Sequence, residues 1–90
     1  MPIRLRHYHE AAGGKVTRFV VQLEVLDEGQ WKVVIRYDSA HGLAHIDRYS
    51  LDGTKVKTEL DLKFREALVL ADEDIRENWK IYRKGFLGGK

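Results

Sequence analysis

Val16-Thr17-Arg18-Phe19-Val20-Val21-Gln22-Leu23-Glu24-Val25-Leu26 is the stretch on which the fold turns. Phe19, Val21, Leu23 and Val25 alternate with Arg18, Val20, Gln22 and Glu24. A period of two puts one row of side chains against a core and the other against solvent. A strand with one buried face belongs in an antiparallel sheet that something apolar covers on that side. The chain supplies that cover itself. On a helical wheel of about 100° per residue, Phe64, Ala67, Leu68, Leu70, Ala71, Ile75, Trp79, Ile81 and Tyr82 share one half. The spacing therefore predicts a helix over residues 62–84. Asp61 is its expected N-cap, because a carboxylate there accepts an orphan N–H of the first turn. Gly85 is its expected left-handed stop, and Arg83 and Lys84 face the negative end of the dipole.

Four further strands lie around these two elements, at residues 3–9, 31–37, 43–50 and 55–60. Ala11-Ala12-Gly13-Gly14, Asp27-Glu28-Gly29-Gln30 and Ser39-Ala40-His41-Gly42 connect the first four. Asp52-Gly53 reads as a two-residue type I′ hairpin, since that turn needs two positive φ angles. In strand three, Trp31, Val33, Ile35 and Tyr37 share one parity, opposite Arg36 and Asp38. In strand four, Ala44 and Ile46 oppose His45 and Asp47. In strand five, Val56, Thr58 and Leu60 turn inward while Lys55, Lys57 and Glu59 turn outward and blunt an edge. The expected fold is α+β: a five-stranded antiparallel meander with one long C-terminal helix packed on one face. One domain spans residues 1–87, followed by a flexible tail at 88–90. Phe19, Leu23, Ile35, Phe64, Ala71, Ile75 and Trp79 are its expected core.

Composition narrows the functions. Ninety residues make one domain with a modest core, and 43% hydrophobic with 33% charged residues fits a folded chain. There is no cysteine, so disulfides, thiolate metal sites and Cys nucleophiles are excluded. The absence fits a cytoplasmic setting. Neither a signal-peptide h-region nor a membrane-spanning apolar run is present. The net charge of +2 permits an acidic partner such as RNA without demanding one.

Two places break the apolar pattern. In Arg36-Tyr37-Asp38-Ser39-Ala40-His41-Gly42-Leu43-Ala44-His45-Ile46-Asp47, a tight connection puts Arg36, Asp38, His45 and Asp47 on one face, with His41 at its rim. For RNA cleavage, His41 and His45 are suited to move protons at the 2′-hydroxyl and the leaving oxygen, and Arg36 to neutralise phosphorane charge. His41, His45 and Asp47 also form a ligand set of the kind zinc takes, although no cofactor is required. A purely structural reading is equally open: Asp38 caps the turn, Arg36 pairs with Asp47, and the histidines sit on a polar face. The second break is Asp74 with Asn78, inside the apolar arc of the helix beside Ala67 and Ala71. These two either satisfy polar groups of the sheet and set helix register, or Asp74 orients a sheet histidine or arginine as the third group of a triad does.

His7 and His9 share a face in a His-x-His arrangement that can bind a metal or can simply be solvated. Arg4, Arg6, Arg18, Lys32, Arg36 and Arg48, with Tyr8, come from several strands. Together they make either a basic surface for single-stranded RNA or an ordinary solvated face.

Val33-Val34-Ile35-Arg36-Tyr37-Asp38-Ser39-Ala40-His41-Gly42, with Ala44-His45 and Asp47, resembles the motif of a family of small uncharacterised prokaryotic proteins. Ala67, Ala71, Asp74-Ile75, Asn78-Trp79 and Tyr82-Arg83 resemble that family's C-terminal end. The Arg-Tyr-Asp element is also similar to the TumE-like toxins of type II toxin–antitoxin modules, which are encoded beside a helix-turn-helix antitoxin. Those toxins carry a denser histidine cluster after that element, where this chain has His41 and His45. The second resemblance implies a ribonuclease or other RNA-acting toxin with an antitoxin partner. Two functions of different class follow. One is a toxin-like protein acting on RNA through Arg36, Asp38, His41, His45, Asp47 and Asp74. The other is a non-catalytic binding module that uses the helix or a sheet edge, with an antitoxin or a second copy of the chain as candidate partner.

Overall fold

Phe19, Val21, Leu23 and Val25 are each no more than 1% exposed, so the alternating stretch does carry the core. The computed structural model describes residues 2–88; residues 89 and 90, most of the expected tail, lie outside the described residues. Five strands sit side by side in chain order, each antiparallel to the next: β1 (Ile3–Ala12), β2 (Lys15–Asp27), β3 (Gln30–Asp38), β4 (Ala44–Tyr49) and β5 (Lys55–Leu60). The helix α1 (Phe64–Phe86) lies across one face, mainly on β2, less on β3 and least on β4. Ala67, Ala71 and Ile75 are its most deeply buried residues. The two alanines let its backbone approach the sheet, and each fully buried large side chain here contributes about 1.5–3 kcal/mol. Among the described residues, no helix is long and apolar enough to cross a membrane.

Four expectations need correction. β2 and β3 fall out of step: Leu23 pairs with Ile35, but Glu24 pairs with Val33, which leaves Val34 as an extra, buried residue. Such a bulge reverses side-chain parity beyond it. Ile35 and Tyr37 lie under the helix as expected. Trp31 and Val33 instead share the opposite face with Arg36 and Asp38. The helix also begins and ends two residues later than its spacing suggests. Its N-cap is Lys63, whose backbone N–H donates to Glu66 at 3.0 Å, so Asp61 does not cap. Gly85 is helical, and the chain leaves the helix at Leu87 and Gly88 (φ 113°). Asp52-Gly53 is not a two-residue turn. The loop spans residues 50–54, with the Asp52 carboxylate accepting from the Thr54 N–H (2.9 Å) and hydroxyl (2.7 Å). Finally, Phe64 and Trp79 are only partly buried, and Leu70 and Ile81 are exposed. A helix on a flat sheet buries a stripe roughly 100° wide, narrower than the half-wheel.

Candidate functional site

Among the described residues, no element covers the face of the sheet opposite α1. The strand register brings Arg4 and Arg6 of β1, Gln22 and Glu24 of β2, Trp31, Arg36 and Asp38 of β3, and His45 and Asp47 of β4 to that face. An uncovered face should be wet, yet Gln22, Glu24, His45 and Asp47 are 9%, 3%, 4% and 5% exposed. They form a polar floor. Arg4 and Arg6 of the neighbouring strand β1 reach across Glu24 with their guanidiniums.

The floor grips the layer above it. Glu24 accepts from the Arg4 Nε at 2.8 Å, from the Arg4 Nη2, and from the Gln22 side-chain amide. Arg6 approaches the same carboxylate at 3.9 Å. The Gln22 carbonyl oxygen then accepts from the Arg36 Nε at 2.8 Å. One chain, Arg4–Glu24–Gln22–Arg36, therefore runs across three strands. A buried carboxylate is tolerable only with charged donors of this kind. The Arg4 guanidinium also sits 4.2 Å from the centroid of the Trp31 ring, a cation–π contact. Beside it a groove of about 580 Å³ is lined by Arg4, Arg6, Tyr8, Val20 and Gln22 among others.

The residues singled out from the sequence divide into three groups. Arg36 is the cross-strand partner of Asp47, and Asp38 that of His45, so all four share the face that their parity implies. Asp38 Oδ1 accepts from the Ala40 N–H at 3.4 Å, the turn contact expected of it, but the other bonds differ from the expected ones. His45 Nε2 lies 3.0 Å from Asp38 Oδ1, while Arg36 turns to Gln22. Asp47 Oδ1 is buried without a hydrogen-bond partner. His41 stands apart on the short 3₁₀ turn Ala40–Gly42, exposed, with φ at 61°. It borders a cleft of about 430 Å³ lined also by Arg18, Asp38, Ser39 and Phe64. Because the turn carries His41 off the strand and His45 is spent on Asp38, the zinc set does not assemble. Among the described residues, no three His, Asp or Glu side chains gather to hold a metal ion.

Asp74 lies on the other side of the sheet. It accepts from the Tyr37 hydroxyl (2.5 Å), the Tyr82 hydroxyl (2.6 Å) and the Asn78 amide (2.9 Å). Its sheet partner is thus a phenol rather than a histidine or arginine. Asn78 is its partner on the helix. Burial first, and the bond to Asp74 second, push the Tyr37 hydroxyl far above the usual phenol range. The same causes in the same order raise Tyr82 to about 12. The Arg48 guanidinium, 5.4 Å from the Tyr82 ring, opposes that rise. This cluster clamps α1 to β3 and fixes its register. Reading β2 as half solvated missed Gln22 and Glu24, the centre of the polar floor. Their signal was available: two polar side chains in an apolar run on a strand with neighbours on both sides.

Fold and site together define a small α+β protein with one packed and one polar, uncovered sheet face. The chain belongs to a family described as a domain of unknown function, DUF7718, whose model matches residues 1–90. No curated protein and no solved structure matches it.

Proposed function

We propose that this protein binds single-stranded RNA along the uncovered face of its sheet. The observation that carries this reading is the fixing of Arg4 and Arg36 by buried acceptors. Glu24 holds Arg4 through Nε and Nη2, and Gln22 holds Arg36 through Nε, which leaves Nη1 of Arg4 and the terminal nitrogens of Arg36 for an external anion. A guanidinium positioned before binding loses less freedom when a phosphate arrives. Trp31, 39% exposed, and Tyr8, 50% exposed, offer ring faces for bases on the same side. The likeness of the Arg36-Tyr37-Asp38 element to TumE-like toxins supports RNA as the acid and a cytoplasmic helix-turn-helix antitoxin as a protein partner. Titration of a labelled single-stranded RNA at several salt concentrations tests the reading. Affinity should fall with salt, with a log–log slope of about 0.7 per phosphate contact. Arg36→Ala should flatten that slope by one contact. An RNA that binds with no salt dependence, or not at all, contradicts the proposal.

A second reading, RNA cleavage, has the Asp38–His45 pair beside the His41 cleft in its favour. His45 is too buried to touch substrate, so it would serve as a positioning residue that holds Asp38. His41 alone of the two imidazoles reaches solvent and would be the proton-transfer group. In this reading His41→Ala abolishes cleavage and spares binding. A wild-type protein that binds RNA and leaves it intact removes the second reading and keeps the first.

A further inference from the structure

His7 and His9 belong to neither the polar face nor the tyrosine clamp. Their parity on β1 places both on the helix side of the sheet, opposite Val21 and Phe19. There His7 Nε2 lies 2.9 Å from His9 Nδ1, and His7 Nδ1 lies 3.5 Å from Asp72 Oδ1 on α1. Asp72 is itself held from its other oxygen by Arg76 at 3.5 Å.

We infer that His7 and His9 form a two-imidazole site for a borderline divalent cation such as Zn²⁺, with Asp72 as its orienting carboxylate. The chemistry follows from the tautomers. Asp72 can only accept, so the His7 proton belongs on Nδ1 and the Nε2 lone pair faces His9. His9 must then donate from Nδ1, and one proton lies between two nitrogens. Two imidazole nitrogens bound to one Zn²⁺ at about 2.0–2.1 Å stand roughly 3.3 Å apart in a tetrahedral arrangement. From the observed 2.9 Å the two nitrogens must separate slightly, and both rings must tilt so that their lone pairs converge on the metal rather than on each other. Zn²⁺ takes the place of the shared proton, which moves to His9 Nε2 at the solvent side, so no net proton is lost. Water completes the coordination. Carboxylate to imidazole to metal is the arrangement by which proteins fix ligand histidines and raise their basicity. Asp72 also places a negative charge beside the incoming cation. Two protein ligands distinguish this site from the three-ligand set that does not assemble around His41.

The test is a titration with Zn²⁺ alone, followed by calorimetry and by the imidazole proton signals in NMR spectra. The wild-type protein should bind Zn²⁺, and the His7 and His9 signals should move while those of His45 stay in place. His9→Ala should weaken binding at least about tenfold. Asp72→Asn, which keeps both ligands, should weaken it by about tenfold, the lower end of the effect of a lost orienting carboxylate. Thermal melts of the metal-free variants should match the wild type, because all three side chains lie at the surface. No binding, movement of the His45 signals in place of His7 and His9, or an Asp72→Asn variant that binds like the wild type would each overturn the assignment.

Discussion

Trp31 lies under the guanidinium of Arg4 at 4.2 Å, on the uncovered face of the sheet rather than beneath the helix. The relation follows from one extra residue, Val34. Without that bulge Trp31 would join Ile35 and Tyr37 in the core, and the polar face would have no aromatic beside Arg4.

The first prediction separates these two places. Ile35→Ala should cost about 2–5 kcal/mol, the range for truncating a fully buried aliphatic side chain. Trp31→Ala should cost about 1 kcal/mol or less, because only its contact with Arg4 and part of its surface are lost. Denaturant melts of both variants measure the difference. Equal losses would place Trp31 in the core.

The bulge also explains what the sequence could and could not disclose. The alternation of Phe19, Val21, Leu23 and Val25 fixes the strand face, and the wheel of Ala67, Ala71 and Ile75 fixes the covering helix. Val33-Val34-Ile35 is apolar throughout, so an inserted residue there leaves no trace in the pattern. The shared face of Arg36, Asp38, His45 and Asp47 was legible because parity along each strand and the tight connection between them together determine it. Their bonds were not. Arg36 chooses between Asp47 and Gln22 by side-chain reach across neighbouring strands, and spacing along one strand carries no such information. The same holds for Asp74, whose oddity on the helix was plain while its phenol partners 37 residues before and eight after it were not.

Asp47 gives the second prediction. Its Oδ1 is buried and without a donor, so the native fold bears the desolvation of an unpaired acceptor. Asp47→Val removes that acceptor and favours a strand. Stability should rise by about 1 kcal/mol in chemical denaturation. A loss of similar size would show that Arg36 or Lys57, its cross-strand neighbours, engages it in solution.

The tyrosine clamp sets an alkaline limit on stability. Phenols in the unfolded chain ionise near pH 10, by the usual value of about 10. Tyr82 in the fold holds its proton to about 12, and Tyr37 is shifted in the same direction. Both raised values mean that their contribution is fully present below about pH 10 and is lost as pH rises toward about 12. Tyrosinate absorbance against pH measures it. In Asp74→Asn the Tyr82 midpoint should fall but stay above the ordinary phenol value, because burial, the larger cause, remains. Asp74→Ala should cost roughly 2–3 kcal/mol, since it strands two hydroxyls and an amide.

His41 is held in the left-handed region, at φ 61°. Glycine takes that conformation without steric cost, whereas other L-residues pay of the order of 1 kcal/mol. His41→Gly should therefore raise stability by up to about 1 kcal/mol in a thermal or denaturant melt. The same variant should lack any cleavage activity that the wild type has.

The most direct test of the RNA-binding face is an amide ¹H–¹⁵N shift map during titration with a short single-stranded RNA. The account predicts that the largest shifts fall on β1, β2 and β3 at Arg4, Arg6, Gln22, Trp31 and Arg36, with the outer side of α1 unmoved. Shifts concentrated on α1 around Val69 and Glu73, or no shifts at any RNA concentration, would contradict it.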